Sequence, residues 1–192
     1  SISIPVGRAL SEYGKKICVI QFDAHLDWTD QLGGNRLFNG HPMRYMSQLP
    51  YVDRMAHLGI HGIGSSKRSD FQDARAYGAT ILSARQIRAM GAQKVLEQLP
   101  QGGRYYVTID IDAFDYSIAG GTGSPMLGGL LYDEAVDLLE GIAQLGEVIC
   151  VDLVEVSPPY DDAAGTTCYL AARILADFLG FITKERERRG ER

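Results

Sequence analysis

The chain has 192 residues, of which 45% are hydrophobic and 22% are charged, and its formal net charge is −5. This composition is typical of a globular protein, and we place a single domain over residues 1–192. The acidic balance gives no reason to expect nucleic acid as a partner, because a basic patch is the usual footprint of one. No apolar run approaches the roughly 20 residues that a membrane span requires. The three cysteines show no paired spacing, so we expect no disulfide framework, no thiolate zinc site and a reducing, cytoplasmic setting.

Hydrophobic periodicity predicts helices and strands that alternate along the chain. In order, these are a helix over 2–13, a strand over 17–22, a polar loop over 28–41, a helix over 42–49, a strand over 55–60, a helix over 66–77, a strand over 79–82, helices over 83–90 and 92–98, a strand over 105–111, a glycine-rich loop over 119–129, a helix over 132–144, a strand over 147–154 and a helix over 166–187. Strands that are apolar throughout indicate a mainly parallel sheet with helices on both faces. The predicted class is therefore a three-layer α/β/α fold.

Two of the predicted strands end in clusters of potential metal ligands. Asp23, His25 and Asp27 follow the first strand at a spacing of two, and side chains at this spacing share one face of an extended segment. Asp110 and Asp112 repeat the pattern at the end of a later strand. Because sites in parallel sheets form at the carboxyl ends of the strands, we expect the two clusters to face each other and to hold a pair of metal ions.

Four aspartates and one histidine form an oxygen-rich ligand set with a single imidazole. Such a set suits Mn²⁺ better than structural zinc, which prefers thiolates and imidazoles. Two ions held about 3.5–4 Å apart by bridging carboxylates would share and deprotonate one water, which would then attack a polarised carbon. The alternative is that one or two of these aspartates merely cap the helices or turns that follow the strands.

Two further residues are candidates for catalytic roles. Glu155, at the exit of the last strand, could orient a cationic substrate, because guanidinium groups pair bidentately with carboxylates; the alternative is a charge that simply emerges into solvent. His41, in a loop with glycine and proline, could shuttle protons; the alternative is an ordinary loop histidine. His57 and His61 flank an apolar strand and are interpreted as structural. The loop over 120–125 lacks the lysine of a phosphate-binding loop, and we expect its backbone to pass close to the site.

Four motifs resemble those of the ureohydrolase family of arginases and agmatinases, and their order and residues are most similar to those of the agmatinase branch. They are Phe22-Asp23-Ala24-His25-Leu26-Asp27, the segment over 108–115, Gly121-Thr122-Gly123-Ser124-Pro125 and the segment over 154–161. The likeness runs from residue 1 to about residue 182. It implies an arginase-like fold, a binuclear manganese enzyme that hydrolyses an agmatine-like guanidino compound to an amine and urea, and a homo-oligomer, either a trimer or a hexamer.

The resemblance also implies a role for each motif residue. These roles are bridging ligands for Asp23 and Asp110, ligands of one ion for His25 and Asp112, a ligand of the other ion for Asp27, and a guanidinium partner for Glu155. The choice of a guanidino substrate comes from the resemblance alone.

The sequence departs from the family pattern around the second ion. The family places a Gly-Gly-Asp-His-Ser motif before the first helix, and its histidine serves the ion that Asp27 serves. This chain opens with Ser1-Ile2-Ser3-Ile4-Pro5, which is similar to the end of that motif, so we expect an N-terminal truncation, missing N-terminal strands and a weaker second metal site. Asn39 stands where the family has a loop histidine, and His41 lies two residues on. A second hypothesis is therefore a catalytically inactive fragment or pseudoenzyme that acts as a metal-stabilised binding or assembly module.

Overall fold

The computed structural model describes residues 2–35, 37–63 and 65–190; Ser1, Arg36, Gly64, Glu191 and Arg192 lie outside the described residues. The fold is built on a parallel five-stranded sheet with the strand order β3-β2-β1-β4-β5. The strands are β1 Ile17–Phe22, β2 Val52–Ile60, β3 Thr80–Ser83, β4 Arg104–Asp110 and β5 Glu147–Val154. The strand β1, which carries the first ligand motif at its end, therefore lies in the centre of the sheet.

Helices cover both faces of the sheet. They are α1 Ser3–Ala9, α2 Pro42–Ser47, α3 Arg68–Tyr77, α4 Ala84–Met90, α5 Ala92–Leu96, α6 Tyr132–Leu145 and α7 Thr166–Arg188. On one face, buried residues of α2 and α3, with partly buried residues of α1, pack against β1 and β2; on the other, α4 to α7 pack against the opposite sides of the strands. The predicted three-layer α/β/α fold is confirmed.

Helix boundaries follow local capping chemistry. The hydroxyl of Ser83 accepts a hydrogen bond from the backbone N–H of Gln86 at 3.2 Å, and the Gln86 side chain accepts one from the Ser83 N–H at 2.9 Å, which is a capping box at the start of α4. The helix predicted over 2–13 divides instead into α1 and a 3₁₀ segment, Leu10–Tyr13, which ends at Gly14 in a left-handed conformation.

The strand register brings the ligand motifs to one edge of the sheet. Phe22, the last residue of β1, lies opposite Ile109 of β4, and Asp110 lies opposite Val154, the last residue of β5. The residues that follow β1, β4 and β5 therefore emerge side by side at the carboxyl ends of three adjacent strands, where sites form in this class of fold.

The strand β5 is less buried than its apolar sequence predicts. The apolar sequence of β5 is typical of a strand covered on both faces, but β5 has a neighbouring strand on one side only and all eight of its residues are only partly buried.

Within the described residues, α7 is the one helix that is long and apolar enough to cross a membrane by length and composition. Its buried residues Leu170, Ile174 and Phe178 belong to the core beside α6.

Candidate metal centre

Tight turns, and not extended strands, bring the motif residues together. Oδ1 of Asp23 accepts a hydrogen bond from the backbone N–H of His25 at 2.6 Å, and Oδ1 of Asp110 accepts one from the N–H of Asp112 at 2.9 Å. Each aspartate thus closes a turn onto the residue two positions later, as Asp side chains commonly do. The expectation that the motif residues converge because they share one face of an extended strand is wrong, since β1 ends before Asp23 and Asp112 lies in a 3₁₀ turn.

Three of the predicted ligands form a compact group. Atoms of Asp23, His25 and Asp112 that could bind a metal all lie within 4.8 Å of one another. Nδ1 of His25 is 3.0 Å from Oδ2 of Asp112 and 3.5 Å from Oδ1 of Asp23. The other oxygen of Asp112 accepts the backbone N–H of Ala24 at 3.0 Å, which ties the two motifs together across the sheet.

The remaining predicted ligands and Glu155 line the same cavity, which has a volume of about 280 Å³. Its wall contains Asp23, His25, Asp27, Asp110, Asp112 and Glu155. Asp27 and Glu155 both have a left-handed backbone, with φ of 51° and 65°. Such strain in residues other than glycine is common at functional sites. Glu155 is exposed, as the solvent alternative requires, and it also borders the cavity.

The electrostatics of the cavity favour a bound cation. Burial, with the charges of neighbouring carboxylates, raises the pKa of Asp23 to about 7 and raises the pKa values of Asp27 and Asp110 well above the ordinary value. Burial also raises the pKa of Asp112, but hydrogen bonds from His25 and the Ala24 N–H outweigh it and the net pKa is lowered. The hydrogen bond to Asp112 is the main cause of the raised pKa of His25.

Carboxylates crowded into a buried site repel one another unless a positive charge lies among them. The oxygen-rich donor set with one imidazole therefore fits a hard divalent ion such as Mn²⁺. The alternative of a capping role also holds in part, since Asp110 caps a 3₁₀ turn with one oxygen while it borders the cavity.

His41 is not placed with the other candidates. Its ring is 2% exposed, Nδ1 lies 2.7 Å from the carbonyl oxygen of Thr29, and the ring stacks against Phe38 at 6.0 Å between centroids. Among the described residues that border the cavity, Phe38 and Asn39 are present and His41 is not. The structure thus gives His41 a packing role in the loop that presents Asn39 to the cavity.

A row of polar side chains across the sheet, of which Gln21 and Thr108 border the cavity, was missed by sequence reasoning. His57 of β2 lies opposite Gln21 of β1, Gln21 lies opposite Thr108 of β4, and Thr108 lies opposite Asp152 of β5. Nε2 of Gln21 donates a hydrogen bond to Oδ2 of Asp23 at 2.6 Å, and the Thr108 hydroxyl donates one to Asp152 at 2.7 Å. The available signal was a single polar residue inside an otherwise apolar run, Gln21 in β1 and Asp152 in β5.

Close backbone approaches confine the predicted ligand His25. A Cβ atom added at Gly62 would lie 2.7 Å from the His25 ring, so only glycine fits where β2 leaves the sheet. The N–H of Gly62 donates to the carbonyl of Ala24 at 2.8 Å, which holds this approach in place. The glycine-rich loop also passes beside the site as expected: Ser124 borders the cavity, and the carbonyl oxygen of Gly121 accepts the Ser157 N–H at 2.7 Å.

Fold and site together define an α/β protein with an acidic, histidine-containing pocket at the carboxyl ends of its parallel strands. The family model described as the Arginase family matches residues 1–180, and the chain belongs to this family. The sequence is 32% identical over 184 residues to guanidinobutyrase from Pseudomonas aeruginosa, covering 93% of this chain and 57% of that protein. It is 34% identical over 179 residues to agmatinase from Blochmanniella floridana, covering 91% of this chain and 54% of that protein.

Solved structures show the same fold. Proclavaminate amidino hydrolase from Streptomyces clavuligerus superimposes with a TM-score of 0.83 at 30% identity, covering 95% of this chain and 61% of that one. Arginase from Medicago truncatula superimposes with a TM-score of 0.81 at 28% identity, covering 94% of this chain and 56% of that one. The chain therefore spans about half the length of the curated relatives it matches.

Proposed function

We propose that this chain carries the metal-binding core of an amidinohydrolase, which hydrolyses an agmatine-like guanidino compound to an amine and urea with two manganese ions. One observation carries the proposal: the four aspartates, the histidine and Glu155 that the family resemblance singles out all border one cavity. The relatives named guanidinobutyrase and agmatinase support a substrate with a guanidino group.

The positions of the side chains support one group of ligands, and the remaining ligand roles rest on the family resemblance. Asp23, His25 and Asp112 would hold one ion, since they are the described residues whose ligand atoms cluster. Asp27 would serve the second ion, and Asp110 would contribute to both together with Asp23. Two divalent ions, when bound, supply a water that is activated for attack at neutral pH.

Glu155 is the residue proposed to recognise the substrate. Its carboxylate stands at the exposed border of the cavity, where a guanidinium group can reach it from solvent. A carboxylate holds a guanidinium through two parallel hydrogen bonds and so orients the plane of the group. Orientation of the carbon toward the buried carboxylates would then lower the entropic cost of attack. The structure offers no comparable contact for His41, so a proton-transfer role for it has less support than the role of Glu155.

The test combines metal counting with a urea assay. The chain is loaded with Mn²⁺, bound metal is counted by elemental analysis, and urea release is measured with agmatine and with 4-guanidinobutyrate. We expect two ions per chain and urea release that Glu155→Gln abolishes without loss of bound metal. The matched control is Glu97→Gln, an exposed glutamate that does not border the cavity and should leave both readings unchanged. Urea release that survives in Glu155→Gln would contradict the recognition role.

A second candidate is a one-ion binding or assembly module without hydrolase activity. Its support is that only Asp23, His25 and Asp112, among the described residues, have ligand atoms close enough to share an ion, while Asn39 occupies the place of a family histidine. One ion per chain with no urea release from either substrate would favour this candidate. The homo-oligomer stays a prediction, which sedimentation equilibrium of the metal-loaded chain tests.

A further inference from the structure

A buried hydrogen-bonded chain leads from His57 through Gln21 to the predicted bridging ligand Asp23. Nδ1 of His57 lies 2.5 Å from Oε1 of Gln21, and Nε2 of Gln21 lies 2.6 Å from Oδ2 of Asp23. The exposed fractions of His57, Gln21 and Asp23 are 0%, 2% and 3%. Little solvent therefore competes for these contacts, and each bond depends on the orientation of the previous group.

The direction of the hydrogen bonds is set by the carboxylate. With a metal ion bound, Asp23 would be ionised and could only accept hydrogen bonds, so Gln21 would present its NH₂ group to Asp23 and its carbonyl oxygen to His57. His57 must then donate from Nδ1, and in a neutral ring this requires the tautomer with the proton on that nitrogen. Burial lowers the pKa of His57 to about 3, which keeps the ring neutral. Nε2 is buried and has no hydrogen-bond partner among the described residues, which agrees with an unprotonated nitrogen. The His57 ring packs edge-to-face with Trp28.

The direction of these hydrogen bonds gives His57 a role beyond packing. The terminal torsion of a glutamine side chain has two broad orientations related by exchange of oxygen and nitrogen. In the exchanged orientation, the Gln21 carbonyl would face the Asp23 carboxylate, and two acceptors would repel each other in a buried site. The donor on His57 removes that orientation, because it requires an acceptor from Gln21.

We propose that His57 is a positioning residue that acts through Gln21 and holds Oδ2 of Asp23 in the orientation needed to bind a metal ion. The proposal rests on the proposed metal centre, since Asp23 is a ligand only if that centre exists. Residues that orient a metal ligand commonly affect metal affinity by about 10- to 100-fold.

Two substitutions of His57 separate positioning from packing. His57→Asn keeps a donor close to the place of Nδ1 but loses volume, whereas His57→Leu keeps more of the volume and loses the donor. Met55→Ala is the matched packing control: Met55 is 1% exposed, lies on the same strand and faces the same side of the sheet. Affinity for Mn²⁺ is measured by titration calorimetry on the chain, and the free energy of unfolding by urea denaturation without metal.

We expect Mn²⁺ affinity and unfolding free energy to change independently in the two His57 variants. His57→Leu should weaken Mn²⁺ binding by about 10- to 100-fold, whereas His57→Asn should stay within about 3-fold of the unmodified chain although it unfolds more easily. Met55→Ala should lose stability and keep its affinity. The positioning role is overturned if His57→Leu binds Mn²⁺ as the unmodified chain does, or if affinity follows unfolding free energy across all three variants. If the unmodified chain itself binds no Mn²⁺, the metal centre is wrong and the positioning role fails with it.

Discussion

Acid should destabilise this fold through one buried histidine, and the effect can be isolated by substitution. Burial lowers the pKa of His57 from 6.5 to about 3 in the folded chain. Below the unfolded value, the unfolded chain binds a proton that the folded chain does not bind, so the free energy of unfolding falls as the pH falls. The His57 contribution is therefore complete above the unfolded value and is lost progressively as the pH falls toward about 3.

The size of the effect follows from the two pKa values. At pH 5, the unfolded histidine is almost fully protonated and the folded one is neutral, which corresponds to a loss of about 2 kcal/mol relative to pH 7.5. Below about pH 3, where the folded histidine is protonated as well, the loss approaches its limit of about 5 kcal/mol. The immediate neighbours Gln21 and Trp28 carry no charge that would offset it.

The assay is urea denaturation of the metal-free chain, with EDTA present, at pH 7.5 and pH 5.0. His57→Leu is measured in parallel, because it removes the histidine while the aspartates of the cavity continue to titrate in both proteins. We expect the unmodified chain to lose about 2 kcal/mol more than His57→Leu between the two pH values. Equal losses in both proteins would refute the reasoning, since they would mean that His57 is protonated in the folded chain as readily as in the unfolded one.

Three further substitutions test the ligand group, its confinement and the core. Asp112→Asn keeps the shape of a ligand but removes its charge, and should weaken Mn²⁺ binding in calorimetry by at least the roughly 100-fold upper range seen for residues that orient ligands; unchanged affinity would contradict the assignment. Gly62→Ala should displace the His25 ring and weaken Mn²⁺ binding by about 10- to 100-fold, while Gly123→Ala, where an added Cβ meets open space, should not. Phe178→Ala, at a core position with 0% exposure, should lower the free energy of unfolding by about 3–5 kcal/mol in urea denaturation. A loss below about 1 kcal/mol would show that the surrounding core residues move in to fill the space left by the phenyl ring.

Local patterns were sufficient to predict most elements and the location of the site. The strands β1 and β5 occur over the predicted residues because each is a continuous apolar run bounded by charged or turn-forming residues. Parallel strands bring their carboxyl ends to one edge, so Asp23, Asp110 and Glu155 could be expected together without coordinates. Each ligand cluster could also be recognised from a short stretch of sequence, because its members are spaced two residues apart.

Two kinds of feature were not predicted from the sequence: the local backbone geometry after the strands, and contacts between distant segments. The convergence of Asp23 and His25 comes from a turn, and neither the turn nor the left-handed backbone of Asp27 follows from residue spacing. By sequence His41 was a candidate proton carrier with an ordinary loop histidine as the alternative, and the fold directs its ring to the Thr29 carbonyl.

By itself the sequence determined the element order and the sheet class, because apolar periodicity is a local property. It also predicted the acidic residues and the histidine that border the cavity, because their spacing is local too. Only the tertiary structure decided which polar residues support that site. The strand register places His57 opposite Gln21, although they are 36 residues apart. A shift of one residue in that pairing would turn one side chain to the other face of the sheet.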